Sequence, residues 1–320
     1  MNLRLIDAAQ IRQHTTFTGL VAHLLAAHRQ PPPAVERVLM QQRSGAGDDN
    51  AMLVWPAWQH GRHLGVKVVT MFPGNTTTPT VQGLYVLFDG TTGSPQAVID
   101  GTELTYWKTA ADSALGADML ARPDARSLLM VGAGALAPYL IRAYQAIRPG
   151  LQQVVIWNRT ADKAHAVASA VRGTPACVAT DLEAAVRAAD MVCCATSTRA
   201  PLVRGEWLVP GTHLDLIGGY TPDMRETDDD AVRRARMFVD SRWFTLEHVG
   251  DLTQPIASGA ITRADILGDL FGLCSGRVAG RTDATQITLF KSGGGAHLDL
   301  MTAQYVGQQC TATRRSGASD

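Results

Sequence analysis

Apolar and polar positions along this chain follow two different patterns. From the start to about residue 112, short apolar runs alternate with turn signals: LGVKVVTMF, the polar PGNTTTPT, VQGLYVLFD, GTTGSP and QAVIDG. Alternation punctuated by Gly, Pro and Asn at this spacing predicts mainly antiparallel strands. An Ala-rich helix is expected from about Thr105 to Leu120, stopped at Pro123 because proline has no N–H to continue the ladder.

From Ser127 the pattern changes. SLLMVGAG reads as a buried strand entering a glycine loop, APYLIRAYQAI as an amphipathic helix and QQVVIWN as a second strand. TADKAHAVASAVRG is a helix with Thr160 as its N-cap and Gly173 past its end. ACVAT, DLEAAVRAAD, MVCCAT, THLDLIGG and MFVDS continue the alternation. Apolar runs without a period of two, separated by helices, predict a parallel sheet covered on both faces. From about Phe244, EHVGDLTQPIASG and ITRADILGDLFGL read as helical, ITLFKS as a strand, GGG as a turn and AHLDLMTAQYVGQQ as the last helix. The polar tail CTATRRSGASD is expected to be disordered. The expected fold class is α/β, with a Rossmann-type parallel-sheet domain (113–290) inserted into an α+β domain built from both chain ends (1–112 and 291–320).

A length of 320 residues has room for two such domains. Lys plus Arg equals Asp plus Glu at 29 each, so charge gives no case for nucleic acid or an anionic membrane surface. MNLRLIDAAQIRQH has no signal-peptide core, and no apolar run approaches the roughly 20 residues that span a bilayer. The five cysteines form no C-x-x-C pair, and Cys193 and Cys194 sit in an apolar strand; a reducing, cytoplasmic setting is expected. The nine histidines show no H-E-x-x-H spacing, and no metal is predicted.

Gly132-Ala133-Gly134-Ala135-Leu136-Ala137 fits G-x-G-x-x-A, and its context carries more weight than the pattern. A strand precedes it, a helix follows, and a second strand ends where a ribose would lie. Gly132 permits the tight turn, Gly134 lets backbone approach a pyrophosphate, Ala137 lets helix and sheet pack, and N–H groups at the helix start face the phosphates. At the end of the second strand stand Asn158, Arg159 and Thr160, with Lys163 one turn on. An acid there would repel a 2′-phosphate and an arginine pairs with one, so NADPH is the preferred cofactor, with NADH as the other choice.

The chain resembles the ornithine cyclodeaminase/μ-crystallin family over nearly its whole length. The resemblance rests on Gly65-Val66-Lys67-Val68-Val69, Pro79-Thr80-Val81-Gln82-Gly83, Leu104-Thr105 through Lys108-Thr109-Ala110-Ala111, Val131-Gly132-Ala133-Gly134, and Ile287-Thr288-Leu289-Phe290-Lys291-Ser292. It implies a homodimer formed through the non-Rossmann domain and an active site in the cleft between domains. Cyclodeaminases of the family carry an aspartate where Gly218-Gly219 is followed here by Tyr220. A phenol, with an ordinary pKa of about 10, is no carboxylate base near neutrality. Relatives usually have an arginine where this chain has Lys108, which keeps the charge and loses the bidentate fork. Trp107-Lys108-Thr109-Ala110-Ala111 with Tyr220 through Arg225 looks most like the 1-pyrroline-2-carboxylate and 1-piperideine-2-carboxylate reductases.

The resemblance thus implies hydride transfer from NAD(P)H to the imine carbon of a cyclic imino acid. Arg43 and Lys67 are the leading contacts for the substrate carboxylate and Lys108 the third; Lys67 lies in an apolar strand, on the face of Gly65 and Val69. Thr80 and Gln82 either line the pocket or stabilise a turn. Thr196, Ser197 and Gly218 join the expected cofactor set, as does Asp223, which otherwise caps the next segment. Ser292 and Gly293 lie where the family brings backbone near the nicotinamide, Ser292 on the cofactor side and Gly293 on the substrate side. Two alternatives stand beside this reading: an amino-acid dehydrogenase or ornithine cyclodeaminase of the same family, and a non-catalytic, NADPH-dependent binding protein of the μ-crystallin type.

Overall fold

The computed structural model describes residues 3–42 and 49–316, the side chains only as far as 311. It divides into two compact units, one of residues 1–108 and 295–320 and the other of residues 109–294. The first division falls inside a helix, between Lys108 and Thr109, a few residues before the expected boundary.

The first unit opens with β1 (Arg4–Ile6) and two helices, α1 (Ala8–His14) and α2 (Phe17–His28). The patterns read above did not predict these helices, although a signature precedes each. Asp7 and Gln10 form a reciprocal capping box on α1, and the Thr16 hydroxyl accepts the Gly19 N–H of α2. Then come β2 (Ala34–Val35), β3 (Val38–Gln42), β4 (Asn50–Gln59), β5 (His63–Met71), β6 (Val81–Asp89) and β7 (Pro95–Asp100). The sheet order is β1-β7-β6-β5-β4-β2, with β3 also on β4; all neighbours are antiparallel except β1 with β7. Antiparallel strands are what the sequence predicts here. α3 (Gly101–Leu120) starts four residues ahead of expectation, because the Asp100 carboxylate accepts the Glu103 N–H at 2.7 Å and caps the first turn.

The second unit is wound around β8 (Ser127–Val131), α4 (Ala137–Ile147), β9 (Gln153–Trp157), α5 (Ala161–Ala170), β10 (Ala176–Val178), α6 (Leu182–Ala188), β11 (Met191–Cys194) and β12 (His213–Leu216). It continues through α7 (Asp229–Arg234), β13 (Ala235–Val239), α8 (Arg242–Thr245), α9 (Gly250–Ala257), β14 (Ile266–Asp269), α10 (Leu270–Cys274) and β15 (Ile287–Lys291). All eight strands are parallel, in the order β10-β9-β8-β11-β12-β15-β13-β14. Both faces are buried. Leu129, Val131, Val192, Leu214, Leu216 and Leu289 share one core cluster, while the intervening Leu128, Met130 and Cys193 are buried on the other face. That is why these strands read as continuous apolar runs.

Two helical readings need correction. ITRADILGDLFGL is only partly helical: β14 pairs with β13, and a short helix follows. Gly268 accounts for the extended backbone, since a Cβ there would lie 2.7 Å from Val278, so strand and loop approach closely. The last helix, α11 (Ala296–Ser316), belongs to the first unit and runs through most of the tail read as disordered. Thr311 returns its hydroxyl proton to the Gly307 carbonyl and receives the Arg4 guanidinium, which continues the helix along β1.

In the first unit Trp107 is fully buried and stacks on Phe17 with ring centroids 4.2 Å apart, while its indole N–H donates to Glu103 at 2.9 Å. Tyr85, opposite Lys67 in the β5–β6 register, is also fully buried. A Cβ at Gly65 would lie 2.1 Å from the Tyr85 hydroxyl and 2.6 Å from its ring, so glycine makes the space the ring fills. Gly65→Ala is therefore expected to destabilise the protein by about 1–3 kcal/mol, read as a lower urea midpoint at unchanged slope. A midpoint equal to the parent's would show that the ring moves aside freely.

Candidate functional site

The glycine loop leaves β8 at Val131. Gly132 has φ 110°, and a Cβ there would sit 2.5 Å from the Ala195 carbonyl, so both backbone sign and space require glycine. Its N–H donates to the Trp157 carbonyl at 2.8 Å. The Ala133 N–H donates to Asn158 Oδ1 at 3.2 Å, and Asn158 Nδ2 donates to the Thr160 carbonyl at 2.9 Å. Asn158 thus holds the loop against the end of β9, a structural task the sequence did not reveal. Nothing lies within 4 Å of a Cβ built on Gly134, which faces open space. The α4 N-cap is Leu136, which supplies no capping oxygen, and the N–H groups of Gly134, Ala135 and Leu136 find no acceptor among the described residues. Donors at a helix start beside an open glycine are what an anionic pyrophosphate requires. The residues fit a dinucleotide.

A cleft of about 330 Å³ opens here. Gly132, Ala133 and Gly134 form its floor, and Asn158, Arg159, Thr160 and Lys163 one wall. Thr196 and Ser197 stand opposite with Thr198 and Leu202, which the sequence reading did not include. Thr160 is the N-cap of α5 by position, but its hydroxyl makes no capping bond. Arg159 and Lys163 are exposed and join no ion pair among the described residues.

The cationic residues gather in the first unit. Lys67 is buried on β5; its ammonium donates to Thr105 Oγ1 at 2.5 Å and to Asp299 Oδ1 at 3.1 Å. Lys108, buried on α3, lies 3.4 Å from the same carboxylate oxygen and 5.9 Å from the centre of the Trp55 ring. Burial pulls the Lys67 ammonium down to about 8; Asp299 opposes the shift and Lys108 adds to it. Two cations on one anion leave the cluster with net positive charge. Burial, and secondarily the Asp299 charge, push the neighbouring Tyr85 phenol well above its ordinary range.

Several expected positions have hydrogen-bond partners within the fold. Thr80 is exposed and uses its carbonyl to accept the Phe72 N–H at 2.8 Å, and Gln82 donates to the Pro79 carbonyl at 3.4 Å, so both brace the β5–β6 turn. Asp223 is exposed, accepting from Arg199 at 2.6 Å and from the Thr221 hydroxyl at 2.5 Å. Ser292 donates to Asp112 at 2.9 Å, and the Gly293 N–H donates to Asp240 at 2.9 Å. Gly218 is buried against Thr196, outside the cleft lining. Ala135 and Leu136 contribute helix-start N–H groups. Arg43 lies outside the described residues.

Asp299, Thr105, Tyr85 and Trp55 were missed, as were the buried acids Glu226 and Asp251 and the buried Lys291. Asp299 had a signal: an acid within the otherwise apolar AHLDLM of a buried helix calls for a cation. Glu226 had none, because its partners come from loops far apart in the chain. Among the described residues, no helix is long and apolar enough to cross a membrane.

Comparison with known proteins follows the same lines. The model of the ornithine cyclodeaminase/mu-crystallin family matches residues 4–314. A Delta(1)-pyrroline-2-carboxylate reductase of Paracoccus denitrificans is 46% identical over 295 residues, covering 91% of this chain and 92% of that one. Another, from Colwellia psychrerythraea, is 36% identical over 314 residues, covering 95% and 98%. The solved structure of the Thermococcus litoralis Delta(1)-pyrroline-2-carboxylate reductase, in complex with NADH and L-proline, aligns with a TM-score of 0.89 at 26% identity, covering 97% of this chain and 98% of that one. On the glycine loop, the strand lysine and a match over nearly its full length, the chain belongs to the ornithine cyclodeaminase/mu-crystallin family.

Proposed function

We propose that this protein reduces 1-pyrroline-2-carboxylate to L-proline, and 1-piperideine-2-carboxylate to L-pipecolate, with NADPH preferred over NADH. The observation that carries the reading is the buried Lys67–Asp299–Lys108 cluster, whose net positive charge suits a small carboxylate. The relatives' names supply the imine, and the open glycine loop supports the cofactor. One ring methylene changes discrimination by only about 1–3 kcal/mol, so both ring sizes are accepted.

The nicotinamide, when bound, supplies the hydride. Lys67 and Lys108 hold the carboxylate, and Arg43 is assigned with them from the family resemblance. Asp299 draws the Lys67 and Lys108 side chains to one carboxylate oxygen and opposes the effect of burial on the Lys67 ammonium. An iminium is already a good hydride acceptor, so orientation carries much of the rate. Arg159 and Lys163, which join no ion pair among the described residues, support the NADPH preference, since a 2′-phosphate fills the place an acid would otherwise take. The cyclodeaminase alternative lacks its carboxylate at Tyr220, which is exposed. We further assign a cytoplasmic homodimer joined through the first unit; exposed Val38, Leu39, Met40, Phe72, Val81 and Leu84 on its strands and turn support that surface.

The purified protein is expected to oxidise NADPH when given either cyclic imine, and Lys67→Met to lower kcat/KM on the order of 10²-fold. Absence of turnover alongside measurable cofactor binding would favour the non-catalytic alternative instead. The Lys67 ammonium, pulled down to about 8, is charged below that pH and neutral above it. Binding of furan-2-carboxylate, whose own charge is constant across this range, should therefore weaken as pH rises through 8; a flat profile would remove Lys67 from the carboxylate site. Arg159→Ala should raise KM for NADPH roughly tenfold and leave that for NADH unchanged, as read from steady-state kinetics with each cofactor. Equal effects on both cofactors would dissociate Arg159 from the 2′-phosphate.

A further inference from the structure

The loops leaving β11 and β12 emerge side by side, because Met191–Cys194 pairs in register with His213–Leu216. Beyond the last paired residues the Ile217 N–H still donates to the Cys194 carbonyl at 2.9 Å, whereas the Thr196 and Gly218 N–H groups find no strand partner among the described residues, and one carboxylate takes them. Glu226 Oε1 accepts the Thr196 N–H and hydroxyl, both at 2.7 Å. Its Oε2 accepts the Gly218 N–H at 2.6 Å and the Ile217 N–H at 3.1 Å. A Cβ on Gly218 would lie 1.8 Å from the Thr196 carbonyl, so only glycine lets the two loops close on the acid.

The same short segment laces the rest of the cleft wall. The Glu226 carbonyl accepts the Leu202 N–H at 2.9 Å, and the Arg225 N–H donates to the Thr198 carbonyl at 3.1 Å. Glu226 is itself held by its own N–H, which donates to Asp251 Oδ1 at 2.7 Å. The other Asp251 oxygen lies 2.9 Å from the Lys291 ammonium, and both residues are fully buried. Burial, with the Asp251 charge behind it, raises the Glu226 carboxyl to about 7, and the Lys291 charge and then the Thr196 donors oppose that rise. No other side chain joins the two loops in this way among the described residues.

We propose that Glu226 is a positioning residue for the cofactor. Its carboxylate, through Thr196, and its backbone carbonyl, through Leu202, set the wall of the dinucleotide cleft opposite Arg159, and Asp251 and Lys291 fix its own place. The proposal rests on the dinucleotide reading above. A glutamine at 226 offers one acceptor oxygen; its amide group would face either the Thr196 donors or the Gly218 and Ile217 donors, and one loop would be released.

Nicotinamide fluorescence on titration with NADPH and NADH tests this without any imine present. The parent protein should bind, Glu226→Gln should show a Kd raised about tenfold or more, and Thr196→Val, which deletes only the hydroxyl donor, a rise of about two- to fivefold. Thr196→Ser keeps the donor and should restore parental binding, and at saturating cofactor the imine KM of Thr196→Val should stay within about twofold of the parent. Parental Kd values in both Glu226→Gln and Thr196→Val would overturn the proposal. If Glu226→Gln gives no cooperative thermal transition, the Thr196 pair decides: a Kd raised in the valine variant and restored in the serine variant supports the role, and equal values overturn it. Failure of the parent to bind either nucleotide would instead overturn the dinucleotide reading and the proposal with it.

Discussion

An ammonium group loses most of its hydration when it enters a protein interior, and it stays charged there only beside an anion. Asp299 is that anion for Lys67, and the Lys108 ammonium lies 3.4 Å from the same oxygen. The constraint reaches into the surrounding fold. α11 must bring its first turn over β5, and α3 must present Lys108 to the same oxygen. Thr105 must be near enough for its hydroxyl oxygen to accept a hydrogen bond from Lys67, and the Tyr85 ring must fit against Gly65. A cluster of this kind is costly to assemble for stability alone, since apolar residues of similar size would pack as well. Its retention is better understood through the positive charge it presents.

The second unit repeats the theme with opposite sign. Two of its buried acids, Glu226 and Asp240, accept backbone N–H groups just beyond the ends of parallel strands. Glu226 serves the loops after β11 and β12, and Asp240 serves Gly293 and Gly294 after β15. A parallel sheet necessarily leaves such donors at its carboxyl edge, and ligands of these folds bind along that edge. Acids placed there shape the loops while the glycine-loop donors remain for the pyrophosphate.

Legibility in the sequence followed the range of the forces involved. The parallel sheet was readable because each strand is apolar through its length and each helix carries its own period. The glycine loop was readable because the φ at Gly132 is a local demand on one residue. Lys67 was readable as a charge inside an apolar strand, but its partner was not assigned, since Asp299 lies on a helix near the other chain end. β14 was misread because ITRADILGDLFGL contains a helical spacing of apolar residues, while pairing with β13 and contact with Val278 hold its first half extended. The tail was misread because polar composition says nothing of the Arg4–Thr311 contact that extends α11. Glu226 was invisible for a related reason: its meaning lies in three residues, Thr196, Ile217 and Gly218, that only the folded backbone brings together.

The strand order has a consequence for how the chain matures. β15 lies between β12 and β13, yet it is the last strand to be synthesised. Until it emerges from the ribosome, the β10-to-β12 half and the β13–β14 pair have no shared ladder, and two apolar strand edges face the same gap. Pairings this distant in sequence are slow to form, and unpaired edges of nascent sheets invite association with other chains. Residues 287–291 thus act as a late keystone, closing the gap between β12 and β13.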